Sequence, residues 1–433
     1  MKYMIITYGC QMNDHDSEKI AYILEDLGYE KTDDKKEADF ILYNTCLIRE
    51  NAELKVYGQL GSLKGLKKEK PDLILAVSGC MMQTGSAREV IQDKYKHVDI
   101  IFGTKNIDKL PELINLHKQT GEMIVDISDF RDPDKVGYIY DNGFHAYVNI
   151  MQGCNNFCTY CIVPYARGRE ESRPVRSIIE EVEALGRRGY KEIELLGQNV
   201  NSYKGENGET FPELLEKVCR VEGIEWIRFM TSNPHDLSDE LIEVMAREDK
   251  VCKHLHLPLQ SGSNKVLKDM NRKYTREKYL DIVRKLRDKM PDITLTTDII
   301  VGFPGETEED HKDTISLCHE VGYDQAYTFL YSPREGTPAA KREQVDDEIK
   351  HERFNRLLDE LYPGFYEKNE KMIGKVEKVL VNGISKNNDE VVTSRTEGNK
   401  LVHFKGDKSM IGNFYNVKIT GNTSFTLEGE LVD

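Results

Sequence analysis

Three cysteines stand at Cys154, Cys158 and Cys161, a CxxxCxxC spacing inside GCNNFCTYC, and three more, Cys10, Cys46 and Cys80, recur 36 and 34 residues apart. Soft thiolates gathered this way ligate iron–sulfur clusters or zinc. No further Cys or His lies between Gln152 and Ser172 to complete a tetrahedral zinc site. The first set therefore reads as three corners of an iron cluster with one iron open to an exogenous ligand, with zinc or incidental cysteines as the other readings. Cys10 and Cys80 follow Gly9 and Gly79, which permit the backbone to approach a bulky inorganic group. Gln11, Asn13, Asn44 and Thr45 give this second set a polar frame; the alternative is three small buried residues. Cys219, Cys252 and Cys318 have no such company and read as buried hydrophobes. An odd total of nine cysteines behind an N-terminus without a secretory pattern argues against a disulfide framework.

The second set is positioned by strands. MKYMIITYG, ADFILYNT and DLILAVSG are apolar runs that each end at one of its cysteines, VDIIFG is a fourth, and Ile20, Ile23, Leu24 and Leu27 form a helical stripe. Strands spaced by helices imply a parallel α/β sheet whose strand ends share one edge. A polar, turn-rich stretch over 126–143 reads as a linker. Beyond it, HAYVNIM, EIELLG, WIRFM, KHLHLPL, ITLTTDIIVG and QAYTFLY alternate with helical segments. That is a partial (β/α)6 barrel, with its chemistry at the C-terminal strand ends. After a helix over 346–361, short alternating strands with Gly-rich turns predict a small all-β barrel. The fold class is α/β, with domains over 1–130, 143–368 and 369–433.

The chain has 433 residues, 31% charged, with a net charge of −15. No run approaches 18 apolar residues, so no membrane-spanning helix is expected and a cytoplasmic location follows as the default. The overall acidity argues against a general polyanion binder. Local charge points the other way. Residues 264–290 carry ten Lys/Arg against four Asp/Glu, and Arg167, Arg169, Arg173 and Arg176 follow the CxxxCxxC motif. The guanidinium fork suits phosphate. The terminal β region from Lys368 is nearly neutral, with ten basic and nine acidic residues.

TYGCQMN, NTCLIRENAE, SGCMMQ, CNNFCTYCIVPYARGREESRP and LLGQNVNSY together resemble the radical S-adenosylmethionine (radical-SAM) methylthiotransferases over essentially the whole chain. The resemblance implies an N-terminal cluster domain, a radical-SAM core and a C-terminal TRAM domain. It implies two 4Fe–4S clusters: one on Cys154, Cys158 and Cys161 that holds SAM, and an auxiliary, sulfur-donating one on Cys10, Cys46 and Cys80. Gly197, Gln198, Asn199, Ser261, Ile300 and Gly302 are then expected around SAM. Arg167, Arg169, Arg173, Arg176, Arg272 and Lys273 are expected against tRNA. His256 reads equally as a cavity residue or a satisfied core histidine. The implied activity is methylthiolation of C2 of N6-isopentenyladenosine at position 37 in the tRNA anticodon stem-loop, by a monomer fed electrons by a flavodoxin- or ferredoxin-type donor. Two alternatives stand beside it. One is a methylthiotransferase acting on threonylcarbamoyl-adenosine in tRNA or on an aspartate of a ribosomal protein. The other is a non-enzymatic RNA-binding iron–sulfur protein, against which two three-cysteine sets speak, since a structural pin is better fully ligated.

Overall fold

The computed structural model describes residues 1–46, 50–129, 137–140 and 143–432, without the side chains of 50–53. Residues 47–49 of the NTCLIRENAE motif, and 130–136 and 141–142 of the expected linker, lie outside the described residues. The chain forms two compact units. One comprises Met1–Asp141 with Gln152–Cys154 and Ile162–Glu170; the other comprises Asn142–Met151, Asn155–Cys161 and Glu171–Asp433.

In the first unit, β1 (Lys2–Tyr8), α1 (Gln11–Asp26), β2 (Glu30–Lys31), β3 (Phe40–Thr45), α2 (Glu50–Glu69), β4 (Ile74–Gly79), α3 (Gly85–Lys94), β5 (Ile100–Phe102), α4 (Leu110–Thr120) and β6 (Ile124–Asp126) follow in order, and α5 (Val163–Arg167) joins them later in the chain. The strands make one parallel sheet, ordered β2-β1-β3-β4-β5-β6. Every residue of β3 and β4 is buried, which is why both read as unbroken apolar runs rather than alternating ones. Ile20 and Leu24 of α1 pack on Phe40 and Leu42, whereas Val56 and Leu60 of α2 join Ile41 and Tyr43. The edge strands β2 and β6 escape sequence reading because they are two and three residues long. β6 also ends inside the stretch expected as a linker, and Ile139 of that stretch donates its amide to the Glu18 carbonyl.

The second unit begins with β7 (His145–Asn149), followed in the chain by the short β8 (Met151–Gln152), at whose end the chain passes to the first unit, and, on its return, by β9 (Glu171–Ser172). Then come α6 (Val175–Arg187), β10 (Glu192–Leu196), α7 (Phe211–Cys219), β11 (Trp226–Phe229), α8 (Asp239–Arg247), β12 (His254–His256), α9 (Asn264–Asp269), α10 (Arg276–Lys289), β13 (Thr294–Val301), α11 (Glu308–Val321) and β14 (Gln325–Leu330). β7, β10 and β11 pair in parallel, as do β12, β13 and β14, and an isolated parallel bridge between Ile227 and Val251 links the two sheets. The result is the expected run of six parallel strands with helical crossovers. α12 (Asp347–Glu370) runs past the expected end at 361 and through Pro363. A proline inside a helix forfeits a hydrogen bond, but the last turns bury Phe365 and Asn369, and Asn369 Nδ2 donates to the Thr423 carbonyl at 2.9 Å.

β15 (Val376–Ser385), β16 (Asn388–Thr396), β17 (Leu401–Lys405), β18 (Phe414–Asn422) and β19 (Thr426–Leu431) close into a barrel filled by Val379, Val381, Val392, Val402, Phe404, Val417, Ile419 and Leu427. It docks under the N-terminal ends of the six parallel strands. Phe144, just before β7, meets Gly412, and Trp226 of β11 meets Phe414 edge-on at 4.8 Å. Lys191 before β10 donates to Asn413, the Lys253 amide before β12 donates to Glu397, and Gly398 lies against Thr294 of β13. Asp324 before β14 pairs with Lys400. Beneath them Arg228 holds Glu192 at 2.8 Å and donates to the Thr396 and Glu397 carbonyls, while Glu192 also meets His145 Nδ1 at 2.9 Å.

The Arg228 and His145 contacts outweigh burial and draw the Glu192 carboxyl from 4.5 to about 2. A depressed carboxyl stabilises the fold above its unfolded value and loses that contribution as pH falls through the folded one. Glu192→Gln is expected to cost about 3 kcal/mol near neutral pH, the worth of that shift. It should also flatten the loss of stability between pH 4.5 and about 2, checked by urea unfolding across that range. An unchanged acid slope would contradict the assignment.

Candidate functional site

The strand register builds the first three-cysteine site. Tyr8 lies opposite Thr45, and Thr45 opposite Gly79, so the chain leaves β1, β3 and β4 at one level, on neighbouring strands about 4.8 Å apart. Cys10, Cys46 and Cys80 are the residues at those exits. Cys10 caps α1 and its Sγ reaches Asn13 Oδ1 at 3.5 Å, while Cys80 opens a 3-10 turn over Cys80–Gln83. Gly79, at φ +105°, passes so close to Thr45 that a Cβ would strike the Thr45 carbonyl oxygen. The polar frame ties the exits together. Asn13 Nδ2 donates to Asn44 Oδ1 and the Thr45 carbonyl, Asn44 Nδ2 to the Asn13 carbonyl, and Thr45 Oγ1 to the Ser78 carbonyl.

Cys46 and Cys80 are buried and Cys10 is half-buried. Cys10 and Cys80 lie within electrostatic reach of each other and of Cys46. Burial raises both thiols, Cys80 to about 11, and the nearby Arg167 opposes it. Among the described residues no three His, Cys, Asp or Glu side chains close on a single ion. A multi-iron cluster interposes its own irons between the sulfurs and calls for a wider set. Three thiols at level strand exits, two of them buried, beside the buried Arg167 guanidinium fit such a thiolate-ligated, anionic group.

Cys154 follows Gly153, whose φ of +75° and contact with the Arg169 carbonyl leave no room for a Cβ. The Cys154 amide donates to the Gly168 carbonyl at 3.2 Å. In the second unit, the Cys161 amide donates to the Cys158 carbonyl, and the segment after α9 pins the loop. Asn271 Nδ2 donates to the Asn156 and Phe157 carbonyls, and the Thr159 amide donates to the Met270 carbonyl. Arg272 Nη1 reaches Cys158 Sγ at 3.5 Å, Nη2 the Pro258 carbonyl at 3.1 Å, and Nε the hydroxyl of Tyr274, which itself donates to the Leu259 carbonyl. Asn271 and Tyr274 carry no sequence signal, because what they contribute is loop support.

The residues expected around SAM stand at C-terminal strand ends of the barrel. Gly197 ends β10 so tightly against Met151 that a Cβ would lie 2.5 Å from Cγ. Gln198 Oε1 is buried with no hydrogen-bond partner among the described residues, an acceptor available to a ligand. Asn199 is otherwise engaged, donating to Asp236 at 2.6 Å and accepting from the Asn233 amide. Ser261 Oγ pairs with Thr314 Oγ1, the Ile300 amide donates to the Gln260 carbonyl, and the Gly302 amide donates to Glu306. His256 is a satisfied core histidine, with Nδ1 3.0 Å from Thr296 Oγ1 and Nε2 3.4 Å from Asp298.

Two of the arginines expected against RNA turn inward. Arg167 is 4% exposed and pairs with Asp16 at 2.7 Å, and the half-buried Arg272 is committed to the Cys158 loop; a guanidinium bonded internally in this way is not presented to phosphate. Arg173 donates to the Asn149 carbonyl and Ser177 and pairs with Glu181. Arg169, Arg176 and Lys273 are exposed, Arg176 in a surface pair with Glu180.

Residues 2–103 match the Uncharacterized protein family UPF0004, 148–318 the Radical SAM superfamily, and 370–432 the TRAM domain. A protein of Finegoldia magna named tRNA-2-methylthio-N(6)-dimethylallyladenosine synthase is 58% identical, over 100% of this chain and 94% of its own length. A synthase of the same name from Acetivibrio thermocellus is 54% identical, over 99% and 91%, and one from Clostridium perfringens is 52% identical, over 100% and 98%. Among solved structures, the radical S-adenosylmethionine methyltransferase TsrM of Kitasatospora setae, with cobalamin and a 4Fe–4S cluster bound, superposes with a TM-score of 0.57 at 15% identity, covering 78% of this chain and 77% of that one. At that identity the likeness is one of fold.

Two thiol sets predict two clusters. After anaerobic reconstitution the chain should carry about eight irons, and the variant with Cys154, Cys158 and Cys161 all changed to Ala about four, without SAM cleavage. Equal iron in the two proteins would refute separate sites.

Proposed function

We infer the activity from one premise: the chain belongs to the radical-SAM methylthiotransferases, in the family of the tRNA-2-methylthio-N(6)-dimethylallyladenosine synthases. It is an enzyme that methylthiolates C2 of N6-isopentenyladenosine in tRNA, using SAM and 4Fe–4S clusters. The full-length match at 58% identity carries this reading.

In our assignment Cys154, Cys158 and Cys161 hold the cluster that takes SAM, and Cys10, Cys46 and Cys80 hold the auxiliary one. When bound, these groups supply reductive cleavage of SAM, the hydrogen-abstracting radical, and the sulfur and methyl of the product. The chain's own residues hold and orient. Asn271, Arg272 and Thr159 fix the Cys158–Cys161 loop, Gln198 offers its Oε1 to SAM, and the Gly197 turn leaves the close approach a ligand needs. Ser261, Ile300 and Gly302 shape the wall through their backbone bonds.

The target is adenosine 37 of the anticodon stem-loop, where an unpaired base can be splayed out at low cost. Arg169, Arg176 and Lys273 are the proposed phosphate contacts. The Arg176–Glu180 pair is a solvent-exposed one, of the kind worth little, and yields readily to a phosphate. A flavodoxin- or ferredoxin-type carrier supplies the electron, and the enzyme works as a cytoplasmic monomer. No helix among the described residues is long and apolar enough to cross a membrane. The functional division is at 1–130, 143–368 and 369–433, each part containing one of the three family matches.

tRNA bearing isopentenyladenosine is expected to be converted, and the same tRNA with plain adenosine to react poorly. The missing prenyl group forfeits burial worth ~25 cal/mol per Å² of apolar area, along with placement of the base. Mass spectrometry of digested nucleosides reads the outcome. Modification of threonylcarbamoyl-adenosine or of a ribosomal protein instead would reassign the substrate and leave the cluster sites standing.

A further inference from the structure

Arg167 lies six residues beyond Cys161 in the chain, yet its side chain serves the other cysteine set. α5 rests on the Cys80 turn, where Ile162 and Ala166 pack with Cys80 in one apolar cluster. That contact brings the guanidinium to the three exits of the parallel sheet. There it is 4% exposed, Nη2 is held by Asp16 at 2.7 Å, and Nη1 is buried with no hydrogen-bond partner among the described residues. Its positive charge acts on both Cys10 and Cys80. Asp16 is itself buried on α1, two turns into the helix that Cys10 caps.

A buried arginine with an idle donor is costly unless something anionic completes its shell. Asp16 matches its charge but leaves Nη1 unserved. A cluster bound through three thiolates is anionic and becomes more so on taking up an electron. We propose that Arg167 is a positioning residue for the auxiliary site: held by Asp16, its guanidinium is the counter-charge to the group bound by Cys10, Cys46 and Cys80, and it sets that group's reduction potential. The proposal rests on reading these three cysteines as a cluster site. It gives the end of the GCNNFCTYCIVPYAR run, expected to meet RNA, a different task.

Electrostatics fixes the signs. A nearby positive charge favours the reduced, more negative cluster and raises its potential; a nearby carboxylate does the opposite. The test uses the full chain with Cys154, Cys158 and Cys161 changed to Ala, so that only the auxiliary cluster remains, reconstituted anaerobically and titrated potentiometrically with EPR detection. Adding Arg167→Gln should shift the midpoint to more negative potential, with at least a tenfold change in the oxidised-to-reduced ratio at fixed potential, ~59 mV for a one-electron couple. Asp16→Asn should shift it to more positive potential, and Arg167→Lys should stay near the parent.

Opposed shifts are the signature, because loosening of the α5 contact would not reverse sign between the two partners. Equal midpoints, or shifts in one direction for both, would overturn the proposal. Should Arg167→Gln fail to hold iron, Asp16→Asn and Arg167→Lys decide: a positive shift in the first with the second near parent supports it, and any other pair of results overturns it. A parent that holds no iron would remove the cluster reading itself, and the proposal with it. Iron in the parent with unmoved potentials removes only the role of Arg167.

Discussion

Parallel pairing is the constraint from which both sites descend. In a parallel sheet every strand leaves by the same edge, and the register Tyr8–Thr45–Gly79 sets three exits level with one another. Cysteines 36 and 34 residues apart thereby become neighbours, with the intervening helices serving as crossovers. The same rule acts in the second unit, where β10 and β13 deliver Gly197–Asn199 and Ile300–Gly302 at their C-terminal ends. A hairpin topology would have alternated those ends between two edges. A one-residue slip of β4 against β3 would move Cys80 off the level of Cys46 and drive Gly79 away from the Thr45 carbonyl that its missing side chain accommodates.

Charge placement follows the same logic of edges. The chain carries a net charge of −15, yet arginines are drawn inward at three structurally decisive points, Arg228 and Arg167 buried and Arg272 half-buried. Arg228 joins Glu192 to the Thr396 and Glu397 carbonyls, Arg272 spans Cys158, Pro258 and Tyr274, and Arg167 lies between Asp16 and the thiols. Arg228 and Arg272 each serve partners in several directions at once, which a lysine's compact ammonium does poorly. Buried in this way, a cation can act on thiolates at close range without the screening that an exposed lysine suffers.

The sequence made legible whatever depends on pattern. Continuous apolar runs in β3 and β4, and CxxxCxxC after β7, led directly to the parallel sheet and the strand-end cysteines. Less legible was whatever depends on which way a side chain turns. Arg167 and Arg169 are two residues apart and look alike in sequence, but α5 packs one on Cys80 and leaves the other exposed. Arg272 and Lys273 divide likewise, since Arg272 is drawn in by the carbonyl of Pro258. A count of basic residues cannot make that distinction. Nor could composition foresee that α12 continues through Pro363, a choice made by burial of Phe365 and by the Asn369 bond to Thr423. The short edge strands β2 and β6 add too few residues to generate a period.

The C-terminal β-barrel illustrates how packing redirects a basic residue. Lys378 stands 4.1 Å from the Phe414 ring centroid and pairs with Glu225, while Lys400 pairs with Asp324 and also donates to Asn369. These lysines bind the barrel to the strand starts above it, and Lys400, with little exposed surface, is withdrawn from a phosphate backbone. Lys371, Lys375, Lys386, Lys405, Lys408 and Lys418 are exposed as well. The docked barrel covers the N-terminal ends of all six strands, whereas the Cys158 loop and Gln198 stand at the C-terminal ends. Trp226, Phe144, Cys252 and Leu380 share one apolar cluster, so the barrel is fixed to the strand starts by buried apolar surface as well as by charge, and forms the floor of the six-strand unit.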